Sequence, residues 1–351
     1  MLCNLFAFIY SLTVVSSASN VLHADRSVGN MADMDKLFYS HFDEHNQEAY
    51  RILQSLHKST LSKWTFVNKK EGVEVWKQFF QESPSYLAAG DIIAGKKHAV
   101  VKSMGIINAS PEDVFNLFLD NTRVREYNDH CVQVRDIEII PQSGHNNGDN
   151  NKGSNGLVRS WSKVAWAASP TYGVLKARDF CSVVHYQKHA NGSFVILNRP
   201  AYFSKTPNSK NFVHATILLA GNIVEPYGPA GNQTLLTQIA HINPGGISDT
   251  AAVAWIINKL CAVGPPTFIR KLEIAAQKSR AERRVAASDS QTGSIVNPLQ
   301  LMNAKLLDAR RKFDALFVAG GALSSRKSSA MASSFSGRWI GRATPSKQFG
   351  L

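Results

Sequence analysis

The chain has 351 residues, 44% apolar and 19% charged, an ordinary globular balance with room for two domains or for one large domain with tails. Its four cysteines form no CxxC pair and no histidine cluster completes a metal site, which argues against a disulfide scaffold or a zinc fold and implies no cofactor. The formal charge of +13 is uneven, because residues 276–351 hold 13 Lys/Arg against 4 Asp/Glu. A basic tail attracts anionic lipid headgroups or nucleic acid, and is otherwise a solvated, disordered segment.

At the N-terminus, Leu5 to Val15 is an apolar run followed by Ser16-Ser17-Ala18-Ser19, the look of a signal-peptide core and cleavage site, although Met1 to Asn4 carry no positive side chain. The run is short for a membrane span. Residues 1–24 are therefore read as a candidate signal peptide or anchor, beside the plainer reading of a buried segment. Location stays open between the cytoplasm or a membrane periphery and the secretory or endomembrane route. Asn191-Gly192-Ser193 and Asn232-Gln233-Thr234 matter as glycosylation acceptors only on the secretory route.

Asp33 to Lys63 reads as helix, with Leu37, Phe38, Ala49, Ile52, Leu53 and Leu56 at helical spacing. Thr65–Asn68 and Val73–Phe79 form a hairpin signal around Lys69-Lys70-Glu71-Gly72. A third strand spans Ala99–Ile107. Ser110-Pro111-Glu112-Asp113 opens a helix: the serine caps, the proline suits the first turn and the acids suit the positive end. Val132–Ile140 reads as strand, and the Gly/Asn-rich stretch Ser143–Asn155 as a surface loop.

The third quarter is β-rich: Leu157–Trp166, Phe180–Gln187, Phe194–Arg199, Phe212–Glu225 and Thr234–His241. Several strands are apolar on both alternate faces, so both faces must be covered, one by a helix and the other by a ligand cavity. Ser248–Arg280 supplies the helix. Gly264-Pro265-Pro266 interrupts it and predicts a kink or break, since an interior proline costs about 3 kcal/mol. Asn297–Val318 has the pattern of another amphipathic helix inside a basic tail, residues 281–351, that is Ser/Gly/Arg-rich from Gly320. The order of elements is α+β, a curved antiparallel sheet gripping a C-terminal helix.

The chain resembles the START family, the steroidogenic acute regulatory protein-related lipid-transfer domains. The likeness rests on Ala109-Ser110-Pro111-Glu112-Asp113-Val114-Phe115, on Arg125-Glu126-Tyr127-Asn128, on Ala177-Arg178-Asp179-Phe180 and on Gly192-Ser193-Phe194-Val195-Ile196. Ile217-Leu218-Leu219-Ala220-Gly221, Glu225-Pro226 and Asn243-Pro244-Gly245-Gly246 complete it. Each motif is weak alone; their order over some 200 residues is specific. The resemblance implies a helix-grip fold over 33–280, with an internal lipid-sized tunnel and a gate made of the loop Ala167–Lys176 and the last helix. It implies a phospholipid or sterol ligand and contact with a membrane surface. Sterol-carrying relatives place a buried arginine where this chain has Val184, which counts against that charge pair here. Ile247-Ser248 stands where a proline often follows the two glycines.

On that frame the expected tunnel and gate residues are Tyr172, Val174, Leu175, His214, Thr216, Gln238, His241, Trp255, Ile257 and Asn258. Arg178, Asp179, Gly245 and Gly246 are expected to be structural. Trp161, Trp166 and Tyr202 are either packing residues or parts of an aromatic cage for a quaternary ammonium. There is no Ser-His-Asp spacing, no paired carboxylate in an apolar setting and no phosphate-cradling glycine loop. The expectation is a non-catalytic lipid carrier. The alternatives are an enzyme using the same fold on an apolar substrate, and a lipid sensor with the basic tail as effector. The basic tail lacks aromatic interleaving, so no nucleic-acid partner is expected.

Overall fold

Alternation of apolar side chains decides most of this architecture, because each strand must bury two faces at once. The computed structural model describes residues 31–140, 156–171, 176–207, 210–246, 254–255, 257–258 and 264–289. The chain divides into Met1–Arg284 and Val285–Leu351. The candidate leader at 1–24 and the tail helix at 297–318 lie outside the described residues.

Two helices come first, α1 (Met31–Ser40) and α2 (Phe42–Lys58), where the sequence suggested one; His41 forms a turn between them. The hairpin β1 (Thr65–Lys70) and β2 (Val73–Phe79) follows. Next is a short helix, α3 (Ala89–Gly95), that the sequence reading lacked. Then come β3 (Ala99–Ile107), α4 (Pro111–Leu119) and a single turn, α5 (Val124–Tyr127). Ser110 Oγ accepts the Asp113 amide at 3.2 Å, with Pro111 in the first turn, as the capping signal predicts. Seven more strands follow: β4 (Gln133–Ile140), β5 (Leu157–Ser169), β6 (Arg178–His189), β7 (Phe194–Pro200), β8 (Val213–His214), β9 (Thr216–Tyr227) and β10 (Gln233–Asn243). The run Phe212–Glu225 is thus two strands rather than one.

All ten strands share one sheet in the order β1-β2-β3-β10-β9-β7-β6-β5-β4, with β8 parallel to the start of β6 and every other pairing antiparallel. The last helix, α6, runs Gly264–Asp289. Ala254, Trp255, Ile257 and Asn258 are also helical. Pro265 and Pro266 fall in the first turn of α6, where a missing N–H breaks no intrahelical bond, so they start this helix rather than kink its interior.

The two faces are covered by different elements. On the inner face, Ile269, Leu272, Ala275 and Ala276 of α6 pack against Val73, Val101, Val184, Tyr186, Phe194 and Leu236. Each fully buried Leu or Ile there contributes roughly 1.5–3 kcal/mol. On the outer face, Ala49, Ile52, Leu53 and Leu56 of α2 meet Trp76, Val195, Leu197, Leu219 and Ile239, while α1 brings Phe38 to Val164, Cys181 and Val183. Strand β7 shows the alternation directly: Phe194 and Ile196 face inward, Val195 and Leu197 outward. Both faces therefore carry helices, a correction to the expectation of a helix on one side and a cavity on the other. Buried Lys102 reaches from β3 to the end of α2 and donates to the carbonyls of Leu56 (3.3 Å) and His57 (2.7 Å), a cation at the negative helix end.

Candidate functional site

Between the inner face and the start of α6 lies a cavity of about 250 Å³. Its sheet wall is built from the inward phase of β9 and β10, including Ala220, Asn222, Gln238, Ala240 and Ile242, with Asn198 of β7 beside them. Phe118, Tyr127 and Phe268 supply aromatic walls from α4, α5 and α6. The walls are more apolar than polar, and the polar lining comes from Asn198, Asn222 and Gln238 on the sheet, from Asn128, Asp129 and His130 after α5, and from Thr267 and Lys271 of α6. Gln238 Nε2 donates to Asn222 Oδ1 at 3.2 Å, and Ser103 Oγ donates to Gln238 Oε1 at 3.5 Å, a neutral amide ladder across β3, β10 and β9. At the rim Lys271 of α6 pairs with Asp129, next to His130, whose pKa burial lowers. A site of this kind orients a ligand by a few hydrogen bonds and binds it by area.

Of the expected tunnel residues, Gln238 lines this cavity and Ile257 is buried in the core that α6 shares with the inner face. The others divide. His241 is on the opposite face, because odd-numbered β10 residues point outward: its Nε2 lies 2.9 Å from the Gly95 carbonyl beneath α3. Burial drives its pKa down to about 4, so it is a neutral packing histidine and not a cavity ligand. Thr216 stands across from Asn243, which donates to Asp91 of α3 at 3.1 Å, and so faces the same way. His214 Nδ1 lies 3.1 Å from Asp179 Oδ1 on the outer side of β6. Asn258 clips the segment before α6 to the start of β3: it accepts from the Ala99 amide at 2.8 Å and donates to the Lys97 carbonyl at 2.7 Å. Trp255, by contrast, is 63% exposed. Tyr172, Val174 and Leu175 lie outside the described residues.

Arg178 and Asp179 are adjacent in a strand and therefore point to opposite faces. Asp179 accepts from Trp166 Nε1 at 3.0 Å as well as facing His214, which ties β5, β6 and β8 together. Gly245 and Gly246 have φ of +72° and +65°, and a Cβ at Gly245 would overlap the His214 carbonyl oxygen, so both serve the turn out of β10. No aromatic cage forms from the three expected rings: Trp161 stacks on Tyr186 at 5.3 Å in the inner core, Trp166 is held by Asp179, and Tyr202 donates to Asp91 at 2.7 Å under α3. The sequence reading missed Ser103, Asn198 and Asn222. Each is a polar residue at an inward strand position, a signal readable only once the phase of the strand is known.

No group of His, Cys, Asp and Glu among the described residues could hold a metal ion, and no described helix is long and apolar enough to cross a membrane. Ser162 Oγ lies 2.7 Å from His185 Nδ1, but on the outer side of β5 and β6, away from the cavity, and burial takes the His185 pKa down to about 4.

No curated protein sequence matches the chain significantly. Among solved structures it is similar to human STARD10, with 16% identity and a TM-score of 0.51, covering 68% of this chain and 82% of that one. It is also similar to human StAR-related lipid transfer protein 5, with 17% identity and a TM-score of 0.51, covering 69% and 98%. Identities this low show the fold alone. The sequence profile of the START domain, however, matches residues 47–282, two thirds of the chain, and takes in the sheet, the cavity and most of α6. The protein belongs to the START domain family.

Proposed function

We propose that the protein is a non-catalytic lipid carrier that holds one lipid against the inner face of the sheet and exchanges it at a membrane. The observation that carries this reading is the cavity itself, more apolar than polar in its walls, with the neutral Gln238–Asn222 amide pair, backed by Ser103, on its sheet side. Each methylene moved from water into such a space is worth roughly 0.8 kcal/mol, so a bound acyl or ring system stays bound in water. Release then requires the cavity to meet a membrane instead of solvent. The end of β5, the start of β6 and the end of β10 stand at one end of the sheet, since Ser169 pairs with Arg178 and Asn243 with Thr216 along the antiparallel chain of pairings. In this reading that end is the gate, and the basic tail strengthens its contact with anionic membranes. Both the structural likeness to a lipid transfer protein and the family membership support it.

The test is transfer of fluorescent sterol, phosphatidylcholine and ceramide from donor to acceptor vesicles. The expected result is protein-dependent transfer of at least one of them, with Gln238→Leu slowing it several-fold. Failure of the protein to bind or move any sterol, phospholipid or sphingolipid would sink the proposal. Truncation after residue 289 is expected to weaken membrane association and leave lipid uptake intact.

A further inference from the structure

Arg178 has no solvent exposure, yet two of its three guanidinium nitrogens bond nothing. Nη1 donates to the Lys176 carbonyl at 2.5 Å. Nε and Nη2 are buried without a hydrogen-bond partner, and no ion pair to Arg178 occurs among the described residues. Its sequence neighbour Asp179 cannot help, because it points to the other face and is spent on Trp166 and His214. A buried charge left in this state costs several kcal/mol, and natural structures rarely keep one without a partner.

The two free donors are not an arbitrary pair. Nε–H and the outward Nη2–H are parallel and lie on one edge of the planar guanidinium, the fork that takes two oxygens of a phosphate or carboxylate at once. Position gives the fork a context. Pairing of β5 with β6 is unbroken from Arg178 to Lys188, so Arg178 shares the inward face with Val184 and Tyr186. Val184 stands opposite Asn198, a cavity wall residue. Arg178 is six residues nearer the gate end, about 20 Å at strand rise. A bilayer is about 40–45 Å thick with its headgroups, so one leaflet's lipid is roughly that long.

We propose that Arg178 is an oxyanion-binding residue, its Nε/Nη2 fork holding the phosphate or carboxylate of an acidic lipid whose tails lie in the cavity. This assigns an acidic lipid to the site and rests on the lipid-carrier reading above. It also replaces the purely structural role expected for Arg178.

The test uses the full chain, a tail-labelled phosphatidic acid, a diacylglycerol with the same acyl chains, and inorganic phosphate. Wild-type protein is expected to bind the phosphatidic acid about tenfold tighter or more than the diacylglycerol, a difference of roughly 1.4 kcal/mol. Arg178→Met removes that preference and leaves diacylglycerol binding unchanged; Arg178→Lys keeps the charge without the fork and retains part of it. The lipid-free Arg178→Met protein melts at or above the wild-type temperature, because an unsatisfied charge has been replaced by an apolar chain. A structural arginine gives the opposite sign. Phosphate alone raising the melting temperature of wild type but not of Arg178→Met supports the oxyanion site with free phosphate as its source. The proposal is overturned if both lipids bind wild type equally, or if Arg178→Met fails to fold or melts well below wild type. If neither lipid binds, the carrier reading falls, and the phosphate arm still decides Arg178.

Discussion

The two faces of the sheet each bury an arginine, and the pair separates scaffold from site. Arg199, 2% exposed, is on the outer face under α2. Its Nε donates to Asn46 Oδ1 at 2.6 Å, Nη1 to the Pro200 carbonyl at 3.2 Å and Nη2 to the Phe42 carbonyl at 3.3 Å, and the guanidinium lies over the rings of Phe38 and Phe42. Arg178, on the inner face, has a single acceptor. Burial lowers the pKa of both to about 10, so burial does not distinguish them; satisfaction does. The outer face holds several such polar clusters, although Asn46 Nδ2, Tyr86 Oη and Thr237 Oγ1 there stay buried without a partner. Tyr202 and Asn243 converge on Asp91, and His241 meets the Gly95 carbonyl. The inner face keeps a cavity, an amide row and an unspent fork. The contrast is therefore one of charge: the outer guanidinium is saturated with acceptors, while the inner one keeps two donors unspent.

The sharpest way to break this contrast is Arg199→Met. It strands three acceptors and is expected to cost about 3–5 kcal/mol in urea unfolding, opposite in sign to Arg178→Met. A neutral result would remove the distinction between the faces. Acid probes the outer face next. His241 and His185 are held neutral with pKa about 4, whereas the unfolded chain protonates histidine below about 6.5. Their contribution is complete above pH 6.5 and is lost as pH falls toward 4, about 3 kcal/mol for each. Denaturation midpoints that stay flat from pH 7 to pH 4.5 would contradict that placement. Gly221 tests how closely α2 lies on the sheet: a Cβ there would overlap the Leu53 side chain, so Gly221→Ala should cost about 1–3 kcal/mol in thermal unfolding. The smallest effect belongs to the clip between the segment before α6 and the start of β3. Asn258→Ala removes the acceptor of the Ala99 amide and should speed its hydrogen exchange by about tenfold with little change in global stability. Unchanged exchange would mean that this clip does not hold the segment before α6.

Much of the fold was legible because its signals are local. The cap at Ser110 and the apolar stripe Ile269, Leu272, Ala276 need only their own segments to be read. Helix α3 was not legible: seven residues with glycine near each end carry little propensity, and its place depends on Asp91 finding Tyr202 and Asn243 far away in sequence. Site residues were harder still. Gln238 and His241 read alike as polar positions in an apolar strand, yet an offset of three residues puts them on opposite faces.

By itself the sequence determined the family, the α+β class and the pairing of many strands with one closing helix, since those follow from motif order and apolar periodicity along the chain. Only the tertiary structure decided which polar residues meet the cavity, that both faces are helix-covered, and that Arg178 and not Asp179 points inward. The reason is physical. Strand phase, burial and hydrogen-bond satisfaction are set by what packs across the sheet, and no residue carries that information in its own neighbourhood.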